Sequence, residues 1–358
     1  MAIHFPEKTK QALLKGFDSK AETGDLFSHD LDMEFSGVRT VHVYSLATEP
    51  LQDYDRSANP ATGSRYGTPK DVGDRVQTFD MTQDRSLPLV IDKGNNLEQF
   101  NMKKAADVMK AERDEHISPE LDKYRLKKWA TDGGIHMQLP SGGLTKSNIV
   151  SQILDLHNAM LDAGVPDSLT LLIRRDKLPI LKLSTEWVGL DSLGGKTLPK
   201  GTMGEFDGMA VRPITSNRMP ANVQFMILFK GSVIAPMKIN TFNAHKDPPG
   251  LSGDLLEFRM IHDAFVLGTK ADGVGVAVDN GFVAAAPTGS YGSGKVTLTS
   301  TTGDAVIKYT TDGSDPRYSA DAKTYSAPFA ADSGTIVKAC AEKSGLYRSN
   351  LTTYEAKA

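Results

Sequence analysis

Eight histidines, one cysteine and a scatter of carboxylates are the residues of this chain best suited to chemistry, and their spacing supports little of it. His4, His29, His42, His116, His136, His157, His245 and His262 form no His-x-x-x-His pair or other ligand spacing, so surface or satisfied-core roles are the plain reading. Cys340 stands alone, which excludes an intrachain disulfide and a multi-cysteine metal site. Gly195-Lys196-Thr197 could end a phosphate loop, but that motif needs a glycine five positions before Gly195, and Leu190 stands there. Glu205-Phe206-Asp207 puts two carboxylates on one side of an extended segment, as a glycosidase requires. With aromatics at 7% and tryptophan only at Trp129 and Trp187, a sugar-stacking cleft is not expected, and a solvated turn beside Gly204 and Gly208 is simpler. No Gly-x-Ser-x-Gly elbow occurs. The expectation is a protein without catalytic residues, cofactor or metal.

The bulk numbers point the same way. Lys and Arg total 41 against 44 Asp and Glu, a net charge of -3, which argues against a chain built to grip phosphate backbones. Hydrophobic residues make up 39%, enough for a sizeable core in 358 residues. Met1-Ala2-Ile3-His4 opens no apolar signal region, and no apolar run reaches membrane-spanning length. A soluble protein made in a reducing cytoplasm is expected.

The elements that would position any site come next. Residues 1 to about 45 read as a polar arm, with one short helix over Glu7–Lys15. Tyr54–Asp92 reads as a long, thinly hydrophobic hairpin: a turn over 59–64, a strand from Arg75 to Met81, then alternating Leu87, Leu89 and Ile91. A lone two-stranded ribbon is marginal in water, so this one needs a neighbouring surface. Met102, Ala105, Ala106 and Met109 make a narrow helical stripe among charges, and Ser118-Pro119-Glu120 signals a restart leading to Trp129. A compact α+β centre follows. Thr145 or Ser147 can cap a helix carrying Ile149, Ile153, Leu156 and Met160, and Gly164 with Val165-Pro166 ends it. Leu169–Ile173 is a strand buried on both faces, and further strands are expected at Met209–Ile214, Gln224–Phe229 and Leu255–Leu267. Val274–Gly294, small and nearly uncharged, reads as a linker. Short strands at Lys295–Ser300, Ala305–Thr311, Thr335–Glu342 and Ser349–Glu355, punctuated by Asp312-Gly313 and Ser344-Gly345, suggest a small β-sandwich.

Ordered short motifs then carry a family resemblance. Val43-Tyr44-Ser45-Leu46, Asp53-Tyr54-Asp55-Arg56, Gln83-Asp84-Arg85-Ser86 and Ile91-Asp92-Lys93-Gly94-Asn95-Asn96 resemble the extended-loop region of tailed-phage major capsid proteins. Ile117–Arg125 resembles their spine helix, while Ala163-Gly164-Val165-Pro166 and Gly204–Met209 resemble their axial domain. Leu256–Arg259 through Asp263–Leu267 looks like the strand returning to the spine. The resemblance runs in family order over most of 40–278. It implies the Hong-Kong-97-type fold: arm 1–45, extended loop 46–96, peripheral domain 97–137 with 253–278, and axial domain 138–252. A linker, 279–294, and a small all-β immunoglobulin-like sandwich, 295–358, would follow.

The resemblance implies partners as well. Identical subunits would form hexamers and pentamers of an icosahedral virion shell, with Asp53, Tyr54, Asp55, Arg56, Asp84 and Arg85 as assembly contacts. A scaffolding protein, a portal and packaged double-stranded DNA bound without sequence specificity complete the expected set, and no membrane is involved. Some relatives crosslink through Lys–Asn bonds, and no such pair is identifiable here. Tyr309–Pro316, Tyr325 with Pro328, Lys338-Ala339 and Ser349 resemble the small β-sandwich at the C-terminus of some chitobiases. Tyr318, Tyr325 and Tyr347 could then touch host glycan, although packing the sandwich is their simpler role. Two other readings stay open: an encapsulin-like compartment, which shares the fold, and a carbohydrate-binding protein that never forms shells.

Overall fold

The computed structural model describes residues 21–29, 40–46, 51, 53–57, 64–66, 74–98, 103–184, 188–189 and 204–357. The helix expected over Glu7–Lys15, Met102 of the helical stripe, Trp187, most of the turn at 59–64 and Gly195-Lys196-Thr197 lie outside these residues. The chain groups into two units, one of Met1–Arg39 with Met81–Val283 and one of Thr40–Asp80 with Ala284–Ala358.

In chain order, β1 (Thr40–Leu46) and β2 (Asp74–Asp80) pair antiparallel, with Tyr44 opposite Val76. Next come β3 (Gln83–Asp92), α1 (Lys93–Glu98), α2 (Ala105–Glu112), a π-helical turn (Arg113–Ile117) and α3 (Ser118–Asp132). The central region holds β4 (Ile135–Gln138), α4 (Ile149–Asp162), β5 (Leu169–Arg174), α5 (Leu178–Lys182), β6 (Val188–Gly189), β7 (Gly204–Phe206), β8 (Met209–Ile214) and β9 (Val223–Phe229). Then follow β10 (Val233–Ile234), β11 (Met237–Lys246), β12 (Gly253–His262), β13 (Phe265–Val266) and β14 (Val274–Val278). The last strands are β15 (Thr288–Gly292), β16 (Lys295–Thr299), β17 (Val306–Thr310), β18 (Lys323–Thr324), β19 (Phe329–Ala330), β20 (Ile336–Glu342) and β21 (Thr352–Glu355).

A seven-stranded mixed sheet, ordered β4-β14-β9-β5-β8-β7-β6, forms the centre of the first unit. Ile149, Ile153, Leu156 and Met160 of α4 are wholly buried against it, as their helical spacing requires. Gly164 sits at φ 82 just past α4, where its amide bonds Leu161 and that of Val165 bonds Met160, closing the helix with a left-handed residue. The cap at the other end differs from expectation. Asn148 starts the helix, and its amide side chain ties Thr145 N (2.6 Å) and Gly143 O (2.9 Å), so neither Thr145 nor Ser147 is the cap.

Three further expectations are corrected. Arg75–Met81 does not pair with Leu87–Ile91: β2 takes β1 as its partner, and β3 becomes an edge of a second sheet ordered β11-β12-β3. The long antiparallel β12 offers ten partners to β3, which a local hairpin could not match. Ser118 is no helix cap, because its backbone is helical and its amide bonds Arg113 O across the π turn. The helical path is thus continuous through Pro119, since the wider turn absorbs the proline without ending the helix. Val274–Val278 is no linker but a fully buried central strand. Its small residues are a packing need: a Cβ on Gly275 would stand 2.7 Å from Met160 Sδ.

In the second unit, the sheets β15-β16-β19 and β18-β17-β20-β21 close over Val296, Leu298, Tyr309, Val337, Ala339 and Ala341, a small sandwich. Cys340 is buried there, and burial pushes its thiol up to about 11, so it behaves as a packed apolar group.

Candidate assembly surfaces

The ribbon β1–β2 presents two unlike faces. Val41 and Phe79, partners across the strands, are buried, whereas Tyr44 and Leu46 are each 68% exposed and lie on the opposite face with Val76. His42 Nδ1 lies 2.9 Å from Thr78 Oγ1, and Thr40 bonds Asp80, which fixes the register on that exposed face. Beyond β1, Asp53, Tyr54 and Arg56 are exposed, and Asp55 is half-buried with its amide bonded to Arg65 O. Tyr54 meets the edge of Tyr66 at 5.1 Å, so this cluster is held locally while its outer side stays open.

Asp84 and Arg85 lie elsewhere, on β3, and both have partners in their own chain. Arg259 donates two bonds to Asp84, at 3.0 and 2.7 Å, and these hold that carboxyl below its usual range. Arg85 pairs with Glu120 of α3 on the other face of the sheet. That face, with Phe242, Phe258 and Met260, meets α2, the π turn and α3 across an apolar groove of about 390 Å³, which Met109, Ile117 and Leu121 line from the helical side.

Two buried polar hubs fasten the chain to α3. Asp122, 0% exposed, accepts bonds from Glu22 N (2.7 Å), Thr23 N (3.2 Å), Thr23 Oγ1 (2.5 Å) and Arg218 Nη1 (2.5 Å). Glu22 in turn receives Thr215 N at 2.9 Å, and Asp25 takes both Arg212 nitrogens, whose bonds hold its carboxyl low. The second hub is Asp263, which receives Thr82 N and Oγ1, each at 2.8 Å, and the Tyr124 hydroxyl at 2.7 Å. Burial pushes the Tyr124 phenol up to about 12. Neither hub was foreseen. Asp122 and Asp263 look like surface charges in sequence, and their partners lie 99 and 181 residues away.

In the sandwich, Tyr318, Tyr325 and Tyr347 are all half-buried. Tyr325 packs edge-on against Tyr309 and Phe329, the Arg317 and Arg348 guanidiniums stand 5.4 and 5.2 Å from the Tyr318 ring centre, and burial pushes Tyr347 up to about 12. The three tyrosines therefore have packing partners. Of the carboxylates Glu205 and Asp207, Asp207 takes His157 Nδ1 at 2.8 Å from its place in the β7–β8 turn. Among the described residues no cluster of His, Cys, Asp and Glu is arranged to hold a metal, and no helix is long and apolar enough to cross a membrane.

This architecture is shared with phage capsids. A chain from Mycobacterium phage Che8 superposes with a TM-score of 0.59 at 15% identity, covering 77% of this chain and 98% of that one. A chain of the bacteriophage PhiM1 mature capsid gives 0.58 at 12% identity, covering 78% and 93%. The capsid of cyanophage P-SCSP1u gives 0.56 at 10% identity, covering 77% and 93%. Such identities speak to fold, and the fold is that of phage capsid chains, the α+β class expected. Residues 296–355 match the family model described as Fn3 associated, in keeping with the immunoglobulin-like sandwich. A sequence search of curated proteins finds no match.

Proposed function

We propose that this chain is the major shell subunit of a tailed-phage head, assembling as hexamers and pentamers of identical copies around double-stranded DNA. The observation that carries the reading is the superposition of about three-quarters of the chain on nearly the whole of three phage chains. On this reading the segments 1–45, 46–96, 97–137 with 253–278, 138–252 and 295–358 act as arm, extended loop, peripheral domain, axial domain and outward-facing sandwich. The exposed face of Tyr44, Leu46 and Val76 supports it, because a two-stranded ribbon with a dry stripe gains stability from a second surface. The apolar groove beside Phe242 and Met109 offers such a surface on a neighbouring copy. Asp53, Tyr54, Asp55 and Arg56 would rim that contact, while Asp84 and Arg85 would reach a neighbour from within their own pairs. The net charge of -3 suits a container whose DNA packs without sticking. A role without catalysis, in a virion assembled in the host cytoplasm with a scaffold and portal as helpers, completes the proposal. Packing, rather than glycan binding, accounts for the three sandwich tyrosines.

Electron microscopy of the purified protein, alone and with a co-expressed scaffold, tests it. Icosahedral shells are the expected result. A particle that stays monomeric at high concentration in both preparations would overturn the reading.

A further inference from the structure

β14 runs into a turn, Asp279–Phe282, closed by the Phe282 amide on Asp279 O at 3.3 Å. Its first residue is fixed: the Asp279 amide donates to Asn222 O at 2.8 Å, and its carboxylate oxygens accept Gln224 Nε2 at 3.0 and 2.9 Å. Asn280 and Gly281 at the tip are exposed. Gly281 stands at φ 86 with open space where a Cβ would be, and among the described residues its amide nitrogen has no partner. The Asn280 side chain, by contrast, is held. Its Oδ1 accepts a bond from Gln138 Nε2, and Gln138 is the last residue of β4, level with Val278 of β14. No other asparagine in the sequence precedes a glycine.

We propose that Asn280 is a self-modification site, at which the Gly281 nitrogen converts the side-chain amide to a carboxylate without an enzyme. The Gly281 N–H gives its proton to solvent base, and the nitrogen attacks Asn280 Cγ. The new C–N bond closes a five-membered imide, the Cγ–Nδ2 bond breaks, and ammonia leaves. Water then opens the imide at either carbonyl, giving aspartate or iso-aspartate, so that one amide and one water become a carboxylate and an ammonium ion. Three features of the turn favour the attack. Glycine puts no side chain beside the attacking nitrogen and lets the backbone rotate toward ring closure. That nitrogen has no hydrogen bond to give up. The Gln138 amide polarises the Asn280 carbonyl and faces the oxygen on which negative charge develops. The product places a carboxylate next to Asp279 and makes the net charge of -3 one unit more negative. In the iso-aspartyl form it also lengthens the main chain just after β14.

Storage of the full chain in warm, mildly alkaline buffer, followed by peptide mass mapping and enzymatic methylation specific for iso-aspartate, reads this directly. Asn280 should convert roughly tenfold or more faster than any other asparagine, because only here is the attacking nitrogen flanked by no side chain. The rate should rise with pH, since the nitrogen must first lose its proton. Gly281→Ala should suppress the conversion. Gln138→Ala is the decisive arm, because Gln138 is exposed and lies outside the reacting pair. It should slow Asn280 roughly threefold to tenfold in the folded chain, the scale of one hydrogen bond, and leave the rate in denaturant unchanged. Conversion of Asn280 no faster than that of the other asparagines in the folded chain, or a Gln138→Ala chain that converts at the unmodified rate, would overturn the proposal.

Discussion

Asp122 and Arg218 are both nearly inaccessible, at 0% and 4% exposure, so each is the condition for burying the other. Asp122→Ala should therefore destabilise by about 3–5 kcal/mol, because it removes the carboxylate that stands 2.5 Å from the buried guanidinium. A shift in denaturation midpoint checks this, and a cost under about 1 kcal/mol would show that the pair is not buried as described. Two half-buried tyrosines set an alkaline limit. Tyr124 and Tyr347 stay neutral in the folded chain up to about 12, whereas unfolded phenols ionise near 10. Their contribution is complete below about pH 10 and is lost as pH rises through about 12. Absorbance titration should show these two phenols ionising together with loss of near-ultraviolet dichroism. Ionisation of both near 10 with the fold intact would contradict their burial.

Among the elements, the ribbon separates folding from association. Serine at Tyr44, Leu46 and Val76 together should leave melting temperature nearly unchanged, since all three are exposed, yet abolish higher assemblies in sedimentation. A large fall in stability would mean that the face is covered within the molecule. Gly134→Ala should be severe, because its Cβ would lie 2.5 Å from the backbone of Ala271 and Asp272 and break the Gly134–Ala271 bond. Thermal melting will show whether the cost reaches the roughly 1–3 kcal/mol of an overpacked site. The elements also divide by what could be read in sequence. The α4 stripe, the unbroken run Leu169–Ile173 and the sandwich strands β16, β17, β20 and β21 are written in local periodicity and form where expected, whereas β15 lies in the stretch 279–294 read as a linker. β11 was missed because both its faces are largely exposed, so Met237–Lys246 lacks a buried alternation to announce it. β14 was misread because small residues chosen to pass beneath Met160 and Leu156 have the composition of a linker. The π turn and both hubs depend on distant partners, which no local pattern encodes.

At the scale of the whole molecule, the sandwich has its own core and its own family match, so if the chain builds shells as proposed, removing 284–358 should leave them intact under microscopy. Loss of shells in that truncation would show the sandwich to be part of the assembly rather than an appendage. The first unit ties two distant stretches of chain to one helix. Glu22 and Thr23 precede the ribbon in sequence and Thr82 follows it, and the first two are moored to position 122 of α3 while the third is moored, by way of Asp263, to position 124. The two stretches that flank the ribbon in sequence are thus tied to one turn of the same helix. A change in that one turn of α3 would be felt by both stretches at once.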